Sequence, residues 1–331
     1  MTRTLPAKAA AASRTDALAV RSFRAMASSI TLSVTTPGRH AETCLDRAEA
    51  IFQDVEHTCS RFDPNSALSR VNANPRSWHD VPATLATAIE EAARAHRETD
   101  GLFDPRILDV LLGWGYDRSL PFTDGHVERD RTGAPRPAGG TAPWHPEIVE
   151  RRGEWRVRLG GNPIDLGGIG KGLAVRWAAA ELSGAGRGYL VDAGGDCAFG
   201  GVGPDGGGWR VGVEDPAGEV EPVLVLDVSN TGCATSSIRL RHWLADGKPV
   251  HHLIDPRTRK PGGEGLAAVT VVAPDPAWSE VWSKTLFLAG TAGIRARADE
   301  LGLAAAWVGL DGTVGTTAAM DALIIWRRTH V

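Results

Sequence analysis

The sequence has no run of about 18 apolar residues, so no membrane-spanning helix is expected. It has no excess of positive charge either: 36 Lys and Arg face 40 Asp and Glu, for a formal net charge of -4. That balance removes the basic field on which nucleic-acid binding depends, and no polybasic tail or heparin-type patch is present. Cysteine is scarce. The 4 residues, Cys44, Cys59, Cys197 and Cys233, make no CxxC pair and no zinc pattern. A chain of this length builds enough core to do without disulfides, so reduced thiols are expected. The N-terminus is basic and Ala-rich but lacks the apolar stretch of an export signal. Residues 1 to about 20 therefore read as a disordered leader, and the expected location is the cytoplasm. No internal repeat of fixed period is visible.

What is present alternates between helical and extended patterns. Phe23–Val34 ends in apolar–polar alternation and reads as a first strand. Ala41–His57 carries Leu45, Ala48, Ile51, Phe52 and Val55 at helical spacing. A turn-rich loop with a short helical piece follows at RFDPNSALSRVNANP. Pro82–Thr99 reads as a second helix, with Ala86, Ile89, Ala93 and His96 on one stripe, and ILDVLLGWGY as a short apolar one. Residues 123–147, rich in Pro, Gly, Thr and charge, read as a mobile insertion in a single domain spanning 21–331. The second half offers the strands WRVRL, GYLVDA, WRVGV, VLVLDV, AVTVVA and AAWVGL, with helices at 171–184 and 277–290. This mixed order implies an α+β fold with a largely antiparallel sheet.

The segments that could carry chemistry lie in the same half. In GNPIDLGGIGKGLAV an apolar strand end runs into glycines and then a helix. Glycines let backbone N–H groups approach an anion, the helix N-terminus adds a favourable dipole, and Lys171 adds a compact charge. That suits a pyrophosphate, and a tight turn packed on a sheet fits equally. The spacing there is neither GxxxxGK[ST] nor GxGxxG, which sets aside a P-loop or Rossmann reading of this segment. YLVDAGGDCAFGG repeats the theme with Asp192 and Asp196 around paired glycines. In VHHLIDPRTRKPGG, His251 and His252 diverge because strand side chains alternate, so only one can serve as a base in a given site. Thr235, Ser236 and Ser237 read as hydroxyls following a strand, able to bind phosphate or cap a helix. The helix opened by Pro274 and Pro276 presents Trp278, Val281, Trp282 and Thr285 on one face, and Glu280 and Lys284 read as a surface ion pair.

Taken in series, CSRFDPNSALSRVN, TDGLFDPRILDVLLGWGY, IDLGGIGKG, VDAGGD, WRVGVEDP, ATSS and HHLIDPRT resemble the ApbE family of Mg-dependent FAD:protein FMN transferases over about residues 23–290. The resemblance implies an α+β fold related to the T-fold: two similar lobes with mixed or antiparallel sheets, flanking helices and FAD between them. It implies cleavage of FAD at its pyrophosphate, transfer of FMN to a Thr or Ser of an acceptor protein, and release of AMP. An FAD pyrophosphatase or a non-catalytic FAD-binding protein is the alternative. By the same resemblance Met26 and Ser28 stand where the family has Met-Gly-Thr near the isoalloxazine ring, and Ser69 and Asn72 lie on the loop approaching the flavin. Asp104 falls on the adenine side, Asp165 precedes the glycine loop, and Lys171 matches the family lysine. Asp192 and Asp196 flank the double glycine, Thr235 and Ser236 lie close to the diphosphate, and His252 is the expected general base.

One position departs from the family. The metal is expected between the Gly168 carbonyl and the last helix, where the family carries Asp and, four residues on, Thr or Ser. This sequence has Glu280 and Lys284. Glu can bind Mg²⁺, but a protonated lysine cannot. Two arrangements follow: Lys284 takes the place of the cation, or the helix turns Lys284 outward to pair with Glu280.

Overall fold

A computed structural model describes residues 2–4, 17–118, 128–129 and 143–329. Most of the 123–147 insertion and most of the expected leader lie outside the described residues. Of the leader, Thr2–Thr4 forms a strand against Trp209–Val213, and residues 18–20 pair with Ser33–Thr35 in the strand Leu18–Ala25, so these parts are ordered rather than disordered.

The central sheet has eight strands. They are β1 (Leu18–Ala25), β2 (Ser28–Thr35), β3 (Gly188–Ala193), β4 (Cys197–Gly201), β5 (Thr231–Ser237), β6 (Leu266–Ala273), β7 (Ala304–Gly309) and β8 (Val314–Thr316). Each pairs antiparallel with the next in chain order. Phe23–Val34 is therefore not one strand but part of a hairpin. Met26 and Ala27, at φ 52° and 57°, make the turn. Left-handed backbone at both central positions matches the strand twist, yet neither residue is the Gly or Asn that normally announces such a turn.

The helices are α1 (Ala41–Cys59), α2 (Ala67–Ala73), α3 (Ala83–Glu98), α4 (Leu108–Gly113), α5 (Gly170–Leu182), α6 (Pro276–Leu288) and α7 (Gly290–Glu300). α1 and α5 cover β2 and β3 through Leu45, Phe52, Leu173 and Val175 against Ile30, Leu32 and Val191. α6 and α7 cover β6 and β7 through Leu286, Phe287 and Ile294 against Val269, Val271 and Ala305. On the opposite face, Leu190, Phe199 and Cys233 meet Trp209, Val211 and Leu226 of a second, four-stranded sheet. Strand alternation explains the sandwich: Val191 and Ala198 point to the helices, and Leu190 and Phe199 to the second sheet. β6 is buried along its whole length, as its nearly unbroken apolar run requires. The result is the α+β class expected, with antiparallel sheets and flanking helices. All four cysteines are free, and among the described residues no helix is long and apolar enough to cross a membrane.

The contact that positions the site is between α5 and α6. A Cβ at Gly172 would stand 2.6 Å from the Ala277 Cα, so only glycine permits this approach. Arg176 of α5 donates to Asp275 at 2.9 and 2.6 Å, and Asp275 caps α6 by accepting from the Ala277 N–H at 2.9 Å. Gly172→Ala is expected to destabilise the protein by about 1–3 kcal/mol through forced separation of the helices. Thermal unfolding measures it, and an unchanged Tm would contradict the close packing.

Candidate active site

The glycine loop before α5 is held from outside. Asn72 of α2 donates to the Ile164 carbonyl at 2.8 Å and accepts the Ile164 N–H at 2.9 Å. One residue on, the Asp165 N–H bonds the Pro105 carbonyl at 2.7 Å, and the Asp165 carboxylate takes Arg61 Nε at 2.7 Å. Arg61 is buried, donates to the Tyr116 carbonyl at 2.8 Å, and lies 4.1 and 4.5 Å over the Phe62 and Tyr116 rings. Asp104 binds Arg106 through two bonds of 2.9 and 2.7 Å. Neighbouring Phe103 presses on Gly168, where a Cβ would come within 3.0 Å of its ring.

Lys171, in the first turn of α5, ion-pairs with Asp196. Asp196 sits just after the β3–β4 turn, whose Gly194 and Gly195 have φ of 66° and 100°. Asp192 shapes that turn by accepting the Gly195 N–H at 3.0 Å. The flavin-side residues reach the same place. Met26 Cε is 3.6 Å from the Cβ position of Gly170, and Ser28 Oγ is 3.0 Å from that of Gly194. The hairpin turn thus lays Met26 and Ser28 against the glycines on either side of the Lys171–Asp196 pair.

α6 completes this arrangement from the other side, and here the surface pair expected from spacing is corrected. Glu280 is 0% exposed, because α6 is enclosed between α5 and the sheet. Glu280 Oε2 accepts the Gly172 N–H at 2.7 Å, satisfying one of the free N–H groups at the start of α5. Glu280 Oε1 takes Lys284 Nζ at 3.0 Å. Lys284 does pair with Glu280, but it does not turn outward: its Cδ and Cε lie 3.6 Å from the Cβ position of Gly168. Ser236 bonds Ser283 at 2.8 Å, and Ser283 donates to the Glu280 carbonyl at 3.0 Å. Thr235 and Ser236 are not after a strand but within β5, and Thr235 meets Thr270 of β6 at 2.8 Å.

This donor set does not fit a divalent cation. Both oxygens of Glu280 are engaged, one by a backbone N–H and one by an ammonium that offers no lone pair. Among the described residues no group of three or more His, Cys, Asp or Glu is placed to hold a metal.

His252 stands just beyond the strand Lys248–His251. Its Nδ1 lies 3.3 Å from the Arg241 carbonyl. A carbonyl only accepts, so Nδ1 carries the proton and Nε2 keeps its lone pair. Burial, reinforced by the positive charges of Arg241 and Lys284, holds the His252 pKa well below 6.5. His251 packs edge-on against Phe287 and accepts the Leu253 N–H, a structural role. The divergence expected of the two histidines is realised.

Most residues singled out from sequence form one connected set through Gly168–Gly172. Ser69 and His252 are held elsewhere: the Ser69 hydroxyl, on α2, donates to the Asp63 carbonyl at 2.7 Å, and the His252 ring turns to the Arg241 carbonyl. Arg61 and Arg241 were not singled out. Arg61 lies inside the CSRF segment, where its place beside Phe62 is the one available signal. Arg241 acts on His252 through its charge and through its backbone carbonyl, and no side-chain pattern encodes the latter.

The chain matches the family model described as the ApbE family over residues 26–307. It is 30% identical over 241 residues to the FAD:protein FMN transferase of Salmonella typhimurium, covering 70% of this chain and 67% of that one. It is 27% identical over 272 residues to the FAD:protein FMN transferase of Haemophilus influenzae, covering 76% and 73%. Among solved structures, the apo form of the flavinyl transferase ApbE from Pseudomonas stutzeri superposes with a TM-score of 0.76 at 25% identity, over 93% of this chain and 97% of that one. The ApbE protein of Thermotoga maritima does so with a TM-score of 0.77 at 23% identity, over 93% and 99%, a likeness of fold.

Asn72→Ala removes both bonds to buried Ile164 and leaves a backbone N–H and C=O unpaired. A loss of about 1–3 kcal/mol for each such group is expected. Urea unfolding reads it, and a neutral result would show that Asn72 does not hold the loop.

Proposed function

The chain belongs to the ApbE family, and on that premise we propose that it is an FAD:protein FMN transferase, with FAD as substrate and a Thr or Ser of an acceptor protein as the receiving group. The observation that carries the reading is His252, a neutral imidazole whose Nδ1 is turned to the Arg241 carbonyl, which leaves Nε2 as the basic nitrogen. Storage of FAD does not call for such a base, whereas attack by a hydroxyl does.

The diphosphate of FAD lies against the N-terminus of α5, where glycines expose backbone N–H groups and the helix dipole favours an anion. Lys171, steadied by Asp196, adds positive charge at the first turn of that helix. Met26 and Ser28 flank the flavin side. The acceptor hydroxyl gives its proton to His252 Nε2 as its oxygen attacks the FMN phosphorus. An O–P ester bond forms and the bond from that phosphorus to the bridging oxygen breaks, so AMP leaves with the electron pair. The proton on His252 passes to solvent, which restores the base. The family's Mg²⁺ would neutralise the diphosphate when bound, but Glu280 and Lys284 do not form a site for it, and no step here relies on it.

Incubation with FAD and a candidate acceptor, followed by in-gel flavin fluorescence and AMP chromatography, tests the assignment. Covalent fluorescence on the acceptor with equimolar AMP is expected, and AMP release without acceptor labelling would replace transfer by hydrolysis. His252→Ala should lower the rate by about 10²–10⁴-fold. The pH profile is set by the same residue. Because its pKa is lowered, the basic form persists below pH 6.5, and the acid limb of kcat/KM is expected there. A limb at or above 6.5 would remove His252 as the base.

A further inference from the structure

We infer that Lys284 is a built-in cation facing the substrate diphosphate in the place of a divalent metal, and that Glu280 is the residue that positions it. This rests on the reading of the glycine loop as an FAD diphosphate site.

The placement is specific. The stem of Lys284 lies over Gly168, with Cδ and Cε 3.6 Å from where a Cβ would be. A Cβ at Gly168 would press on the Phe103 ring at 3.0 Å. The lysine stem from α6 packs in van der Waals contact with the same spot. Its ammonium accordingly sits beside the loop that leads into α5, on the same helix start as Lys171.

Glu280 holds it there. Its carboxylate is fully enclosed and has two partners, the Gly172 N–H at 2.7 Å and Lys284 Nζ at 3.0 Å. A buried carboxylate demands such partners, since an uncompensated buried charge is strongly unfavourable. Lys284 thus neutralises Glu280, and Glu280 in turn fixes the ammonium. The acceptors of Lys284 are Glu280 Oε1 and, at 3.5 Å, the Glu280 carbonyl, whereas an ammonium carries three donors. A donor is left for a ligand oxygen.

The exposure of the two ion pairs gives the direction. Glu280 is 0% exposed and Lys284 19%. Asp196 is 3% exposed and Lys171 15%. In each pair the carboxylate lies deeper and the ammonium nearer solvent. The pairs are neutral in sum, but both present their cationic end. A singly charged ammonium on a fixed stem then carries out what a doubly charged ion would do, with no dependence on free metal.

The test uses the full chain, stripped with EDTA, and reads the FAD Kd by flavin fluorescence together with AMP release in the presence of the candidate acceptor. Wild type is expected to bind FAD and release AMP within about twofold in EDTA and in MgCl₂. E280Q frees the ammonium without discharging it. The double variant E280Q/K284M also removes the charge while leaving the buried pair neutral, so its fold is preserved, as circular dichroism and Tm would verify. The double variant should bind FAD about 10–100-fold more weakly than E280Q, the range of one charge-assisted hydrogen bond. Binding or AMP release by wild type that requires Mg²⁺ would overturn the inference and leave the transferase reading intact. Equal FAD affinity in the single and double variants would also overturn it. Absence of FAD binding in both EDTA and MgCl₂ would refute the FAD site itself, and the inference with it.

Discussion

The Glu280 carboxylate against the N-terminus of α5 is the constraint on which the rest of the site depends. It is buried between two helices that touch closely enough to need glycine at position 172. A carboxylate there answers the unpaired N–H groups of α5 and the positive end of its dipole. In the same place it demands a counter-charge, and Lys284 is the counter-charge supplied. Helix packing, helix capping and the electrostatics at the start of α5 are thus one arrangement. No member can be changed without leaving another buried and unsatisfied.

The opposite rim follows the same logic with different parts. Lys171 and Asp196 pair across the gap between α5 and the β3–β4 turn. Left-handed glycines in that turn bring Asp196 back toward the helix. The β1–β2 turn adds Met26 and Ser28 against the glycines on each side. Asn72 and the Arg61–Asp165 pair grip the loop from behind. The charged groups are thus held by the protein's own contacts, and donors fixed in this way stabilise developing charge at low reorganisation cost.

Much of this was legible in advance, for identifiable reasons. α1 and α3 carry strong apolar periodicity, and GYLVDA and WRVGV are compact β-branched runs bounded by glycine, so their place in the chain followed directly. The β1–β2 hairpin was missed because its turn is Met-Ala, without the residues that usually tolerate φ > 0. β5 is not among the expected strands because its polar TSS end does not read as one; it is a strand because β6 covers Thr235 and α6 covers Ser236. Local propensity holds no record of such cover.

The sequence by itself determined the α+β class, the glycine loop with Lys171, the divergence of His251 and His252, and the departure at Glu280 and Lys284. These are properties of composition and short-range order, which spacing records. Only the tertiary structure decided that Glu280 is buried, that Lys284 points inward to Gly168 while still pairing with it, and that the Arg241 carbonyl sets the tautomer of His252. Those facts depend on where α6 meets α5 and on which backbone atom a fold brings beside a ring. Residues more than a hundred positions apart, such as Gly172 and Glu280, acquire that relation only when the core closes around them.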